Sequence, residues 1–298
     1  MNKSIMAKII RKLIFLALIA ALAVVAYVYD ASVIPTEDAL VTNQIGASQD
    51  VQCISQPAKG ALDRYGKLDV TTWNLYKQKS EGWDETLKQL AERSDLLLLQ
   101  EAQLTPELNS FVESQELSML LAKAFSFENE PVGVMNLTRE PATSSCVFRK
   151  PEPYINFPKS MLISYYALSD KSQLLVANIH SINFTFGLEE YKAQLRIVEE
   201  AIKGHQGPVI FAGDMNTWSD ERFDTVRQLA KRADLTEAIP SVDSRTRVLG
   251  HNLDHIFYRG LELIKAESII TSTSDHNPVK AYFRLEKNRS VDIVDSEK

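Results

Sequence analysis

Beyond residue 67 the chain alternates short apolar runs with polar breaks. Short strand-like apolar runs predict strands over 68–73, 96–99, 133–137, 161–168, 174–179, 209–212, 256–258, 261–271 and 279–284. Between some of them the apolar positions change to helical spacing. Leu188, Tyr191, Leu195, Val198 and Ile202 mark a helix over 188–203, and similar patterns predict helices over 83–93 and 221–233. Many strands with few helices predict an α/β fold of two packed mixed sheets flanked by helices in four layers, not a single doubly wound sheet. This folded domain is expected over 67–286. Residues 30–66 are polar, broken by Pro35 and Pro57, and read as a tether with room for one short element. The charged tail over 287–298 has no period at all.

The N-terminus has a different pattern. A basic segment, 1–12, precedes residues 13–29, where 17 successive positions carry no charge. That length is at the lower limit for crossing a bilayer, and Ile9 and Ile10 extend it if Arg11 and Lys12 snorkel. The expectation is one transmembrane helix acting as an anchor, with a cleaved signal peptide and a buried helix as alternatives. Lys3, Lys8, Arg11 and Lys12 lie before the apolar run, while Asp30, Glu37 and Asp38 follow it. The positive-inside rule therefore places the folded domain outside the cytoplasm.

Composition adds limits. At 298 residues, 45% hydrophobic and 24% charged, the chain is enzyme-sized and globular. Four of its 33 basic residues precede Asp30, whereas all 39 acidic residues lie at or beyond it, so the remainder carries −10. Such a balance argues against a high-affinity, non-specific duplex binder. Cys53 and Cys146 are too few for a disulfide scaffold. In an oxidising compartment they could pair and tie the pre-domain segment to the core; otherwise they are two unrelated buried residues.

The candidate chemistry lies at strand ends. Asn74 follows "TTW", Glu101 follows "LLLLQ", His180 and Asn183 follow "VANI", and Asp214 and Asn216 end "FAGDMN". Asp254 opens the strand in "LDHIF", and Asp275 and His276 precede the last strand in "SDHNPV". A carboxylate at the end of a buried strand is costly unless something compensates it, so these ends are expected to converge on one polar pocket. Glu101, Asp214 and Asp275 are hard oxygen donors, and with the neutral Asn74 and Asn216 they suit Mg2+ or Mn2+ better than zinc. His251 and His255 stand four apart but in a loop-into-strand context, and His205 reads as a loop residue.

Taken in order, Asn74, Glu101, His180, "GDMN", "LDHIF" and "SDHNPV" resemble the endonuclease/exonuclease/phosphatase superfamily of DNase I-like proteins. With "TWNLYKQ" and "LLLLQEAQLTPEL" the whole pattern most resembles an uncharacterised bacterial subgroup of it. The resemblance spans 68–284 and implies a divalent-metal-dependent phosphoesterase working by in-line attack of water. It implies that Glu101, Asp275 and Asn74 hold the metal. Asp214 would orient or deprotonate water, Asn216 and Asn74 would bind phosphate oxygens, Asp254 would orient His276, His276 would stabilise the charge developing on phosphorus, and His180 would hydrogen-bond a phosphoryl oxygen or assist the leaving group. Asn183 and Lys159 are further candidate substrate binders, although a turn residue and a solvated surface lysine are the commoner explanations. A nuclease is the preferred substrate reading. A sphingomyelinase-like phospholipid phosphodiesterase, an inositol or small-molecule phosphatase, and a catalytically silent binding module are the alternatives. Expected partners are a phosphoester substrate and the membrane; no obligate protein partner is evident.

Overall fold

A computed structural model describes residues 3–44, 51–185 and 187–286, so the expected tail over 287–298 lies outside the described residues. Two sheets dominate. The first runs in the order Ser32–Val33, Ser118–Phe127, Glu130–Thr138, Leu96–Gln103, Lys67–Asn74, Val279–Leu285 and Leu261–Ser268, with Ala39–Thr42 also paired to Ser118–Phe127. The second runs Thr236–Glu237, Asp254–Arg259, Val209–Asp214, Gln173–His180, Pro158–Ala167, Ser144–Pro151 and Cys53–Ser55.

Strand alternation builds the layers. Leu68, Val70, Leu96 and Leu98 face inward and meet Val147, Leu162, Val176 and Ile210 of the second sheet in the central core. The outward set of the first sheet, including Trp73, Leu97 and Leu99, packs under the helices Trp83–Glu92 and Pro106–Ser114. Leu175, Ile179 and Phe211 of the second pack under Glu189–Lys203 and Asp220–Arg232. The period-two pattern thus gives each sheet two apolar faces, and burying both requires four layers.

Each sheet contains one parallel pair. Lys67–Asn74 pairs in parallel with Leu96–Gln103, and Gln173–His180 with Val209–Asp214. A parallel pair needs a crossover, supplied here by Trp83–Glu92 and Glu189–Lys203 respectively. Both pairs end at the same edge of the sandwich, so the chain leaves four polar strand exits together. Just beneath them the two sheets are locked by a buried amide chain. Gln100 Nε2 donates to Asn178 Oδ1 at 2.7 Å, and Asn178 Nδ2 donates to Asn136 Oδ1 at 2.9 Å.

The tether reading of 30–66 needs correction. Ala39–Thr42 is wholly buried and Cys53–Ser55 pairs with Ser144–Pro151, so this segment caps an edge of each sheet. Its strands are too short to show a period, which hid them from pattern reading. Cys53 and Cys146 sit directly opposite in that pairing and are disulfide-bonded, with Cα atoms 4.2 Å apart. The N-terminal helix runs Lys3–Asp30, and its apolar stretch Lys8–Asp30 is unburied, which removes the buried-helix alternative. Those 23 residues span about 35 Å at ~1.5 Å per residue, enough for a bilayer core.

Candidate active site

The strand exits converge as expected. Asn74, Glu101, Lys159, His180, Asn183, Asp214, Asn216, Asp275 and His276 all line one cleft of about 600 Å³. Asp254 lies behind it, 1% exposed, beneath His276.

Asp214 is the hub. It ends its strand in register with His180 on one side and Asp254 on the other. Its Oδ2 accepts from Asn74 Nδ2 at 3.0 Å and its Oδ1 from the Asn216 backbone N–H at 3.0 Å. His180 Nε2 lies 3.5 Å and His276 Nε2 3.9 Å from Oδ2. The preceding Gly213 permits this geometry: at φ +137, an added Cβ would fall 2.0 Å from the Ile179 carbonyl oxygen. Asn216 is itself left-handed, φ 48, and its Nδ2 donates to the Ser181 carbonyl at 2.9 Å.

Glu101 reaches the cleft through a local irregularity. The pairing of its strand shifts register between Leu99 and Ala102, and Glu101 adopts φ 50. A non-glycine residue in this region costs about 1–3 kcal/mol, a strain characteristic of residues aimed at a site. Burial pushes the Glu101 carboxyl up, but His180, Lys77 and Lys159 around it more than reverse this and hold it at about 2. It is an anion at neutral pH.

The two histidines differ in charge. Burial, reinforced by Lys159, pushes His180 down to about 3, so its ring is neutral and its Nε2, 2.9 Å from the Lys159 Nζ, accepts the ammonium's hydrogen bond. Burial also opposes the charging of His276, but Asp254 against its Nδ1 at 2.7 Å, with Asp214 and Asp275 nearby, raises it to about 10. The imidazolium therefore presents an Nε2–H to the cleft. Its backbone is fixed too, since the His276 carbonyl accepts from Trp73 Nε1 at 2.9 Å and its N–H donates to Ser274 Oγ at 3.1 Å.

Several contributors escaped sequence reading. Lys77 forms an ion pair with Glu101. It does so from a turn in which Tyr76, Lys77 and Gln78 are all left-handed, with φ 52, 51 and 54. Nothing in "NLYKQ" signals such a turn, which contains no glycine. Gln78 secures it by donating to the Gln103 carbonyl at 2.5 Å and accepting from the Gln103 N–H at 3.2 Å. Arg222, 1% exposed, donates to the Ile182 and Asn183 carbonyls at 2.8 Å each and stacks on Trp218. Trp218 in turn donates to Asn183 Oδ1 at 2.8 Å, so the Asn183 side chain is engaged in holding the cleft wall.

A second buried polar cluster backs the site. Arg245 Nη1 contacts Glu237 at 2.7 Å and its Nη2 contacts Asp243 at 2.8 Å, while His255 Nδ1 lies 2.6 Å from Glu237. His255 is therefore occupied here and is no partner for His251. Burial raises Glu237, but His255 and Arg245 outweigh it and bring it from 4.5 to about 2; the Arg245 hydrogen bond brings Asp243 from 3.8 to about 2. Depressed folded-state values mean that both carboxylates stabilise the fold above the unfolded values and lose that contribution as pH falls toward 2. Thermal melts should therefore drop progressively between pH about 4.5 and 2, and Glu237→Gln should flatten this acid limb. An unchanged limb would remove the cluster from the acid response.

Whether these residues suit a divalent cation can be judged from the donors. Among the described residues no three His, Cys, Asp or Glu side chains form a ready-made cage. Ionised Glu101, with Asp275 and Asn74 lining the same cleft, is an oxygen-only set of the kind Mg2+ uses when waters and substrate oxygens complete its shell. The fit is to a hard, partly hydrated ion.

The endonuclease/exonuclease/phosphatase family profile matches residues 71–276, which contains every residue of this cleft. The chain belongs to that family. The chain is similar to the UPF0294 protein of Vibrio campbellii, 38% identical over 85% of this chain and 90% of that protein. A UPF0294 protein of Vibrio cholerae is 39% identical over 90% of this chain and 96% of its own length. Among solved structures, an endonuclease/exonuclease/phosphatase from Beutenbergia cavernae superposes with TM-score 0.57 at 17% identity, covering 74% of this chain and 72% of that one. D. rerio TDP2 complexed with a single-strand DNA product superposes with TM-score 0.54 at 19% identity, covering 73% and 99%. At these identities the structural likeness carries the family fold.

Proposed function

We propose that the protein is a divalent-metal-dependent phosphodiesterase that hydrolyses its substrate by in-line attack of water. The observation that carries this reading is the cleft itself, where an ionised Glu101, a twice hydrogen-bonded Asp214 and a cationic His276 face one another. Glu101, with Asp275 and Asn74, would hold the cation. When bound, that cation supplies charge neutralisation at the phosphoryl group and the leaving oxygen.

The chain's own groups divide the remaining work. Asp214, held by Asn74 and Asn216, orients water and takes its proton. His276, charged and fixed by Asp254, donates its Nε2–H to the oxygen that gains charge at phosphorus. His180 is neutral and already accepts from Lys159, so the Lys159 ammonium is the phosphate-facing cation on that side. Asn183 serves by holding Trp218.

The basic residues ahead of the helix support a reading in which Lys8–Asp30 anchors this domain on the outer side of a membrane. The paired Cys53 and Cys146 agree with an oxidising compartment. For the substrate, the likeness to TDP2 supports the fold and not a nuclease activity here; the surface beside the cleft favours another diester.

The test is a hydrolysis screen of the full chain against phospholipid, nucleic-acid and soluble phosphodiesters. Excess EDTA should abolish activity, and Mg2+ or Mn2+ should restore it. Full activity in chelator would remove the metal-dependent reading.

A further inference from the structure

A second hollow opens from the catalytic cleft. This slot of about 170 Å³ shares Lys77, Glu101, Lys159, His180 and Phe184 with the cleft; the buried Glu152, 4.0 Å from the Lys159 ammonium, adds to that polar end, and the remaining walls include Phe125, Val132, Ile155 and Phe157. One end is therefore polar and catalytic, and the other is apolar. No step of the hydrolysis uses the apolar end.

The slot wall is also where the N-terminal helix ends. The Tyr29 ring lies 5.4 Å from Phe157, and its hydroxyl donates to the Ile155 carbonyl at 3.0 Å. Phe157 in turn meets Phe125 edge to face, with ring centroids 5.1 Å apart. On the other side Tyr27 meets Phe127 at 6.3 Å, and the Ala31 carbonyl accepts from the Glu128 N–H at 2.9 Å. The last turn of the helix is thus held against the slot, at the level where Tyr residues mark a bilayer interface. The rim there is exposed and apolar: of the slot's lining, Phe184 is 57% and Ile155 37% exposed.

Charge separates the candidate substrates. The cations lining the two hollows are Lys77 and Lys159, already engaged with Glu101 and His180, and the His276 imidazolium, already held by Asp254. That is a sparse footprint for a polynucleotide backbone, which is tracked by a basic groove. An apolar slot continuous with the phosphate site and set at the membrane surface fits a molecule with a phosphoester and a hydrocarbon tail.

We infer that the slot takes the apolar part of a lipid phosphoester drawn from the bilayer in which the N-terminal helix sits, with its phosphate at the end formed by Glu101, His180 and Lys159. This inference rests on the phosphoesterase reading and on the helix remaining attached as an anchor.

The test uses the full chain in liposomes doped with a phospholipid carrying a photoreactive diazirine on its acyl chain, with EDTA present to prevent turnover. Crosslinks mapped by mass spectrometry should fall within 118–138 and 151–160 as well as on the helix. Ile155→Asp with Phe184→Asp, both at exposed positions, should reduce labelling of those segments about tenfold, the weight of roughly two buried methylene groups, while helix labelling persists as the internal reference. Labelling confined to the helix would overturn the lipid inference whatever the enzyme hydrolyses. Without EDTA and with Mg2+, the wild-type chain should cleave the acylated diester faster than the same headgroup diester without chains, and faster than a single-stranded oligonucleotide. Equal rates for the acylated and chain-free diesters, or a faster oligonucleotide, would likewise overturn it. A labelled slot without hydrolysis of any ester would instead retain lipid binding and remove the phosphoesterase reading.

Discussion

His276→Ala should lower kcat by about 10²–10³, the usual consequence of losing one preorganised electrostatic donor in a transition state. The structure gives the reason for so large an effect. Asp254 and the neighbouring carboxylates hold His276 as an imidazolium against the penalty of burial, so the donor is charged before substrate arrives. Asp254→Asn should give a milder lesion of the same kind, because an amide in place of the carboxylate no longer secures the charged ring. The Asp254→Asn/His276→Ala double variant should be little worse than His276→Ala alone, since Asp254 acts through the histidine. Steady-state kinetics on the three variants decides this. Multiplicative losses would mean that Asp254 has a separate task.

The second large effect concerns Glu101 and the lysine that sequence reading overlooked. Glu101→Ala should weaken divalent-metal binding by roughly 10–100-fold, a loss of the size seen even when groups supporting a metal site are removed. Added metal should recover part of the rate. Lys77→Met should shift metal binding in the opposite direction. The Lys77 ammonium rests on the carboxylate oxygen that a metal would need, so it acts as a tethered rival cation whose removal leaves Glu101 free. Mn2+ binding followed by thermal shift and by calorimetry reads both effects without relying on turnover. A Lys77→Met variant that binds Mn2+ more weakly than wild type would show that the lysine helps to build the site and does not compete for it.

Much of this molecule is legible in one dimension because of two strict periodicities. Strand alternation and helical spacing identified the helices at Trp83–Glu92, Glu189–Lys203 and Asp220–Arg232 and most central strands to within a few residues. Other elements were harder to read. Ser118–Phe127 and Ser144–Pro151 went unassigned because their mixed sequences alternate weakly. Thr105 and Pro106 do signal the start of Pro106–Ser114, as the Thr105 hydroxyl caps the Leu108 N–H, but the helix is too short for its period to show.

The site divides along the same line. Asn74, Glu101, His180, Asp214, Asn216, Asp254, Asp275 and His276 could be named from sequence because buried strands that end in carboxylates, amides and imidazoles require a common partner, and the structure brings them to one cleft and its backing. Their charges could not be read that way. His180 and His276 are both histidines at the boundaries of apolar strands in the sequence; only packing decides that one faces Lys159 and stays neutral while the other rests on Asp254 and is charged. Lys77, Arg222 and the apolar slot were also beyond sequence reading, since each depends on segments far apart in the chain meeting at one point. Residue types determined which chemistry is available, and tertiary distances, acting through desolvation and Coulomb terms that change over a few ångströms, decided which protonation state and which neighbour each residue has.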